Sequence, residues 1–106
     1  MVEFRGHPFY SCRNCGNPLA LRKSLISKHF WAKSGQAYMF SHVTNIIVGQ
    51  MEDKQLISGL FTIGGIYCSK CGEELGWKYL HAYEDRQKYK EGKFVMEISK
   101  IAKEYQ

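Results

Sequence analysis

Two matched cysteine motifs, placed far apart, constrain the fold of this chain more than any other feature. The first is "CRNCG", which begins at Cys12, and the second is "CSKCG", which begins at Cys68. These motifs contain all 4 cysteines of the chain, and residues 17–67 lie between them. A shared role for the two motifs therefore requires a fold that brings two remote turns together.

Three chemistries could explain the cysteine pairs. Disulfides are disfavoured because the first residues, "MVEFRGHPFYS", hold no secretion signal, and thiols inside the cell are kept reduced. A redox C-x-x-C site needs one pair beside a βαβ pattern, whereas this chain has two pairs and no such pattern. One zinc ion explains both pairs, because four thiolates at ~2.3 Å complete a tetrahedron.

The residues around the cysteines agree with zinc. Gly16 and Gly72 each follow a pair, and glycine suits a tight turn in which backbone amides fold over the sulfurs. A closed shell of four thiolates leaves no coordination position for activated water, so the ion is expected to be structural. The predicted ligands of this single zinc ion are Cys12, Cys15, Cys68 and Cys71.

Length and composition indicate one compact domain over residues 1–106. The chain has 44% hydrophobic residues, which is ample for a core, and 106 residues is an ordinary size for a single domain. No apolar window approaches the roughly 18 to 20 residues that span a bilayer, so we expect a soluble, intracellular protein without a membrane partner.

The positive charge is concentrated in the first half of the chain. The formal net charge is +5, and residues 4–51 contain no aspartate or glutamate. Such a segment is either an ordinary solvated face or a surface for phosphates, nucleic acid or an acidic partner. The candidate basic patch consists of Arg5, Arg13, Arg22, Lys23, Lys28 and Lys33.

The patterning is mostly that of β-strands. Residues 37–43 and 45–48 are rich in aromatic and β-branched side chains, and we predict that they pair with each other. In "LGWKYLHAY" the alternation places Trp77, Tyr79 and His81 on one face of a strand. Residues 84–92 predict a loop or short helical turn. "KFVMEISKI" favours a strand, after which the last residues could continue as a short helix.

No catalytic set is visible in the sequence. None of the four histidines lies at ligand spacing to the cysteines, and none has a serine, cysteine or carboxylate partner by motif. The four cysteines are all assigned to zinc, so no thiol nucleophile remains. Trp77 either packs in the core or forms the wall of a shallow pocket where its ring stacks on a ligand.

Several segments together resemble the Yippee family of small zinc-binding proteins, namely "YSCRNCGNPLA", "VTNIIVG", "IYCSKCGEELGWKY" and "QKYKEGKFVMEI". The resemblance runs from about Phe9 to Ile98. It implies a β-tent fold, in which two antiparallel sheets are pinned by the four-cysteine zinc, as in the drug-binding domain of cereblon and in Mis18. It also implies a location in nucleus and cytoplasm and a subunit or adaptor role in a ubiquitin ligase of the CTLH/GID type.

The same resemblance implies a pocket. The cereblon-type pocket is a cage of three tryptophans, and Trp77 matches one of them, with Tyr79 matching the aromatic residue two positions on. The other two cage positions fall near Ile57 and Ile63, so the cage is incomplete and cyclic-imide binding is not expected. The leading hypothesis is a non-enzymatic protein-interaction module with a groove near Trp77. The alternative is a nucleic-acid or phosphate-binding module that uses the basic first half.

Overall fold

A computed structural model describes residues 4–105 of the chain; residues 1–3 and 106, which the single-domain prediction includes, lie outside the described residues. The described part contains nine strands and three short 3-10 helices. The strands are β1 (Phe9–Cys12), β2 (Pro18–Leu21), β3 (Leu25–Ala32), β4 (Gly35–Phe40), β5 (Ile46–Leu56), β6 (Gly59–Cys68), β7 (Glu74–Ala82), β8 (Phe94–Glu97) and β9 (Ile101–Glu104). The 3-10 helices are Arg22–Ser24, Asp85–Lys90 and Ile98–Lys100.

The strands form two antiparallel sheets. The small sheet has the order β2-β1-β9, and the large sheet has the order β3-β4-β8-β7-β6-β5. The chain passes from the small sheet to the large one through the helix Arg22–Ser24, and it returns through the helix Ile98–Lys100. The predicted fold class, mainly β with two antiparallel sheets, is confirmed. The loop or helical turn predicted at residues 84–92 is the helix Asp85–Lys90.

The large sheet buries side chains on both of its faces. In β8, Phe94 and Met96 join one apolar cluster, whereas Val95 between them joins another. This is the two-residue alternation of a strand whose two faces are both covered. The first cluster also holds residues of the small sheet and therefore lies between the sheets; its members include Tyr10, Leu19, Phe40, Ile66, Leu75 and Ile101. The second includes Met39, Phe61, Ile63, Tyr79 and Ala82.

The predicted pairing of residues 37–43 with residues 45–48 is wrong. β4 pairs with β3 and β8, while β5 pairs with β6 at the far edge of the large sheet. The connection between β4 and β5 is instead bonded to β2, because the Thr44 amide donates to the Leu19 carbonyl at 2.8 Å. Asn45 then adopts a left-handed conformation with φ of 60°, which redirects the chain before β5 begins.

The predicted aromatic face of β7 is wrong at His81. Thr62 pairs with His81, but the next residue of β6, Ile63, pairs with Tyr79, so β7 has one extra residue at this point. Such a bulge shifts the following side chains to the other face. Tyr79 is therefore buried, whereas His81 is exposed and its ring contacts Tyr83.

A short helix continuing to the end of the chain was also expected, and this is wrong. Within residues 98–105, the helical part is the 3-10 turn Ile98–Lys100, after which β9 pairs antiparallel with β1. Ile101 explains the difference, because it is buried in the cluster between the sheets and the strand conformation brings its backbone alongside Cys12. Among the described residues, no helix is long and apolar enough to cross a membrane.

Candidate metal centre

The two cysteine motifs form turns with the same backbone hydrogen bonds. In the first turn, the Gly16 amide donates to the Cys12 carbonyl at 2.7 Å and the Cys12 amide donates to the Asn17 carbonyl at 2.8 Å. The second turn repeats both bonds at the equivalent positions, each at 2.9 Å. Gly16 and Gly72 have φ of 82° and 78°, a conformation that glycine adopts without strain. The two turns are therefore equivalent structures, as their matched sequences predict.

The fold brings the four sulfurs of these turns together. They lie within 4.8 Å of one another, and the closest pairs are Cys15 with Cys68 at 3.5 Å and Cys12 with Cys71 at 3.7 Å. Four sulfurs at ~2.3 Å from one zinc ion would be separated by about 3.8 Å at tetrahedral angles. The observed distances match that value and far exceed a disulfide bond of ~2.05 Å. The cysteines fit one zinc ion and are not disulfide-bonded.

The site joins the two sheets. Cys12 is the last residue of β1 in the small sheet, and Cys68 is the last residue of β6 in the large sheet. Both are buried at 1% exposure and belong to the apolar cluster between the sheets, whereas Cys15 and Cys71 are exposed. A metal ion held by these residues fastens the sheets to each other at the edge of their common core.

Asn17 is a buried polar residue that holds the site together, and it was not predicted from the sequence. Its Nδ2 donates to the Cys68 sulfur at 3.3 Å and to the Asn45 carbonyl at 3.2 Å. The Asn45 carbonyl also accepts the Ser69 amide at 3.0 Å, and Asn45 Nδ2 donates to the Pro18 carbonyl at 2.7 Å. The first turn is thus bonded to the second both directly and through Asn45.

The protein environment shifts the thiol pKa values of Cys12 and Cys68 in opposite directions. Burial raises the pKa of the Cys12 thiol to about 12. Burial acts in the same direction on Cys68, but hydrogen bonds from the Cys71 backbone and the Asn17 side chain outweigh it and lower the pKa of Cys68 to about 6. These donors favour the thiolate form, which is the form that binds zinc. Zinc must displace the proton of Cys12, so binding of the ion releases protons.

We expect Asn17→Ala to weaken zinc binding by about 10- to 100-fold, the usual effect of removing a group that hydrogen-bonds a metal ligand. The substitution removes the side-chain amide that donates to the Cys68 sulfur. Competition with a chromophoric chelator measures the affinity. Gln55→Ala is the matched control, since the exposed side-chain amide of Gln55 donates to the carbonyl of the next residue. Equal zinc affinity of both variants and wild type would remove this role from Asn17.

The pocket residues implied by the resemblance lie near one another but do not all line one cavity. A cavity of about 530 Å³, here called the aromatic cavity, is bordered among others by Trp31, Ile57, Trp77, Tyr79, Tyr89 and Lys90. Ile63 is buried beside Tyr79 in the second apolar cluster and lines a separate, more polar depression. Trp77 packs against the same cluster, and the hydroxyl of Tyr79 has its pKa raised by burial.

Two residues of the aromatic cavity were missed by the sequence analysis. Trp31 of β3 is 72% exposed, and Lys90 is only 4% exposed. The sequence motifs lie in β6 and β7, whereas Trp31 comes from the opposite edge strand of the large sheet and Lys90 from the helix after β7. A lysine with polar neighbours in "DRQKYK" gives no signal of burial.

The basic residues of the first half are spread over several elements. Arg13 lies in the first cysteine turn, and its guanidinium donates to the Ile101 carbonyl at 2.7 Å. Lys28 lies in β3 with its ammonium 5.6 Å from the centre of the Tyr38 ring. Arg22 and Lys23 lie in the helix between β2 and β3 and border one surface depression. The remaining two are Arg5, before β1, and Lys33, between β3 and β4.

Comparison with known proteins gives a consistent result. A family model described as "Yippee zinc-binding/DNA-binding/Mis18, centromere assembly" matches residues 9–105. Two yippee-like proteins of Arabidopsis thaliana are 52% and 51% identical, over 98 and 104 residues that cover 92% and 98% of this chain and 93% and 98% of theirs. The crystal structure of the Mis18 "Yippee-like" domain superposes with a TM-score of 0.75 at 14% identity, covering 94% of this chain and 97% of that one, and so shares the fold. The chain therefore belongs to the Yippee family, and its four clustered cysteines are a zinc site.

Proposed function

We propose that this domain is a non-enzymatic interaction module that recognises a partner protein through the aromatic cavity. The observation that supports this most is the position of three strongly exposed apolar side chains, Trp31, Ile57 and Tyr89, around one cavity. Exposed apolar groups gathered around a concave site are typical of surfaces that bind proteins or ligands. Isolated exposed apolar residues would carry no such meaning.

The metal centre supports a structural role for zinc. Four thiolates fill a tetrahedral shell, so the ion has no position left for a reacting water or substrate. Its proposed contribution is to hold the small sheet against the large sheet, on which the aromatic cavity is built. Recognition would then depend on the shape and charge of the surface and not on chemistry at the metal.

We further propose that the partner is a multi-subunit ubiquitin ligase of the CTLH/GID type and that the protein acts in the nucleus and cytoplasm. Membership of the Yippee family supports this proposal. Within such an assembly the domain would be a subunit or adaptor that brings the aromatic cavity to a second protein.

The test is crosslinking and purification of the tagged protein from cells. A double variant, Trp31→Ser with Tyr89→Ser, removes two exposed rings at the rim of the cavity, and we expect it to lose partners that the wild type retains. Tyr105→Ser is the control, since Tyr105 is 67% exposed and follows β9 of the small sheet. Partners that are identical for all three proteins, or absent for the wild type, would contradict the proposal.

A second candidate function is nucleic-acid or phosphate binding. The family description includes DNA binding, and Arg22, Lys23 and His7 border one depression on the surface. A salt titration decides between the two candidates, because affinity for DNA or RNA should fall steeply with ionic strength. Absence of binding at low salt would exclude this second candidate and leave the first one unaffected.

A further inference from the structure

Lys90 places a positive charge inside an aromatic enclosure. Its ammonium lies 5.1 Å from the centre of the Phe61 ring and 5.4, 5.5 and 5.8 Å from those of Phe30, Tyr79 and Tyr89. The side chain is 4% exposed, and burial lowers the pKa of the ammonium. Four ring faces stabilise a cation in part, by cation–π attraction.

This charge has no anionic partner among residues 4–105. An ammonium offers three donors, and Lys90 uses one of them on the Ser58 hydroxyl at 3.0 Å. The ion pairs found in the described part of the chain involve other residues, such as Lys100 with Glu73 at 2.7 Å. A buried charge without a counter-charge is costly, and a carboxylate that reached it would form a strong charge-assisted hydrogen bond.

A second donor in the lining is buried without a well-formed hydrogen bond. The indole Nε1 of Trp77 faces the Tyr79 hydroxyl, whose pKa it lowers against the larger effect of burial, but it forms no hydrogen bond of good geometry among the described residues. Trp77 and Lys90 both line the aromatic cavity. The described lining contains no aspartate or glutamate, so the cavity presents donors and a positive charge but no negative charge.

Most of the remaining lining is apolar, apart from Ser27, His29 and Ser58, and its exposure increases from Lys90 outward. Lys90 is almost fully buried, whereas Trp31, Ile57 and Tyr89 are 72%, 109% and 62% exposed at the rim. Its volume of about 530 Å³ lies within the ~300–1,000 Å³ typical of ligand pockets. A group that fits this arrangement has a carboxylate at its inner end and an apolar body against the aromatic walls.

We propose that the aromatic cavity binds the last residue of a partner protein, with the free α-carboxylate on the Lys90 ammonium and an apolar side chain between Trp31 and Trp77. A C-terminal leucine, isoleucine or phenylalanine combines both features in one residue, whereas an internal aspartate or glutamate lacks the apolar body. This inference rests on the proposed function, because it names what the interaction module recognises.

The chain supplies its own reporter for the experiment. It has 2 tryptophans, Trp31 and Trp77, and both line the aromatic cavity. The zinc-loaded full chain is titrated with N-acetyl-Ala-Leu and N-acetyl-Ala-Phe as free acids and as C-terminal amides, and tryptophan fluorescence is recorded. We expect a saturable change for the acids and an affinity at least about tenfold weaker for the amides, which cannot form the charge-assisted bond.

Two variants test whether the peptide carboxylate binds to Lys90. Lys90→Met keeps a long side chain without the charge, and we expect it to bind acids and amides equally weakly. Lys88→Met is the matched control, since Lys88 belongs to the same short helix but is exposed, and it should keep the preference for acids. If Lys90→Met does not fold, the comparison of acid with amide on the wild type still decides.

Equal binding of acids and amides by the wild type would overturn the inference, and so would absence of binding or a preference for acids that survives in folded Lys90→Met. These failures differ from failure of the proposed function. If cellular partners were lost from the Trp31 and Tyr89 double variant, the proposed function would be supported even if no C-terminal carboxylate bound. If those partners were absent and the peptides still bound through Lys90, the site would stand without the proposed assembly.

Discussion

Cys68→Ser is expected to abolish cooperative folding or to lower the melting temperature drastically. A serine hydroxyl does not replace a thiolate on zinc, and structural zinc contributes apparent binding free energies of ~10–16 kcal/mol in small zinc domains. The whole stability of a domain is only about 5–15 kcal/mol. Loss of a ligand that is buried between the two sheets should therefore exceed what the remaining core can compensate.

Thermal unfolding followed by circular dichroism measures this effect, together with the zinc content of the variant. Lys70→Ser is the matched control, because Lys70 is exposed in the same turn between Cys68 and Cys71. We expect the control to lie within about 0.5 kcal/mol of wild type, as is usual for exposed positions. A Cys68→Ser protein that melted like the control would contradict the structural role of the metal.

Gly76→Ala is expected to destabilise the domain by about 3 kcal/mol or more. Gly76 lies in β7 between Ile66 of β6 and Met96 of β8, in the interior of the large sheet. An added Cβ would overlap the carbonyl oxygen of Val95 and lie 2.9 Å from its carbonyl carbon. These are backbone atoms, so the strands themselves must separate to make room.

Chemical denaturation measures this loss, with Gly65→Ala as the control. Gly65 pairs with Trp77 in the same sheet, but a Cβ there would meet mainly the Tyr67 side chain at 3.2 Å, and a side chain can adjust. We expect a change of less than about 1 kcal/mol in either direction for the control. Similar stabilities of the two variants would show that β7 and β8 do not approach as closely as described.

The sequence predicted the parts of the molecule that depend on local patterns. The cysteine turns are defined by residues within six positions of each other, and the two sets of turn bonds are the same because both turns share the C-x-x-C-G pattern. The alternation of Phe94, Val95 and Met96 likewise predicted a strand from adjacent residues. The spacing of the two turns did not by itself show that they meet. The prediction that they meet came from the need for four cysteine ligands around one ion.

The parts that were predicted wrongly or missed depend on contacts between remote segments. β4 and β5 are neighbours in the sequence, yet each pairs with another strand. The strand β9 forms because β1 offers it a free edge, which no local pattern near Ile101 reveals. A single extra residue in β7 moves His81 off the predicted aromatic face. The rings around Lys90 come from three strands and a helix. The assignments of the aromatic cavity and of the basic residues to a function stay predictions.

The structural role of zinc is tested most directly by the metal content of the purified protein, measured together with its thermal unfolding before and after chelation. Protein prepared without chelators should contain one equivalent of zinc per chain. Removal of that zinc should eliminate the cooperative transition, and its return should restore it. Substantially less than one equivalent of metal in a protein that still unfolds cooperatively would contradict the claim that zinc fastens the two sheets together.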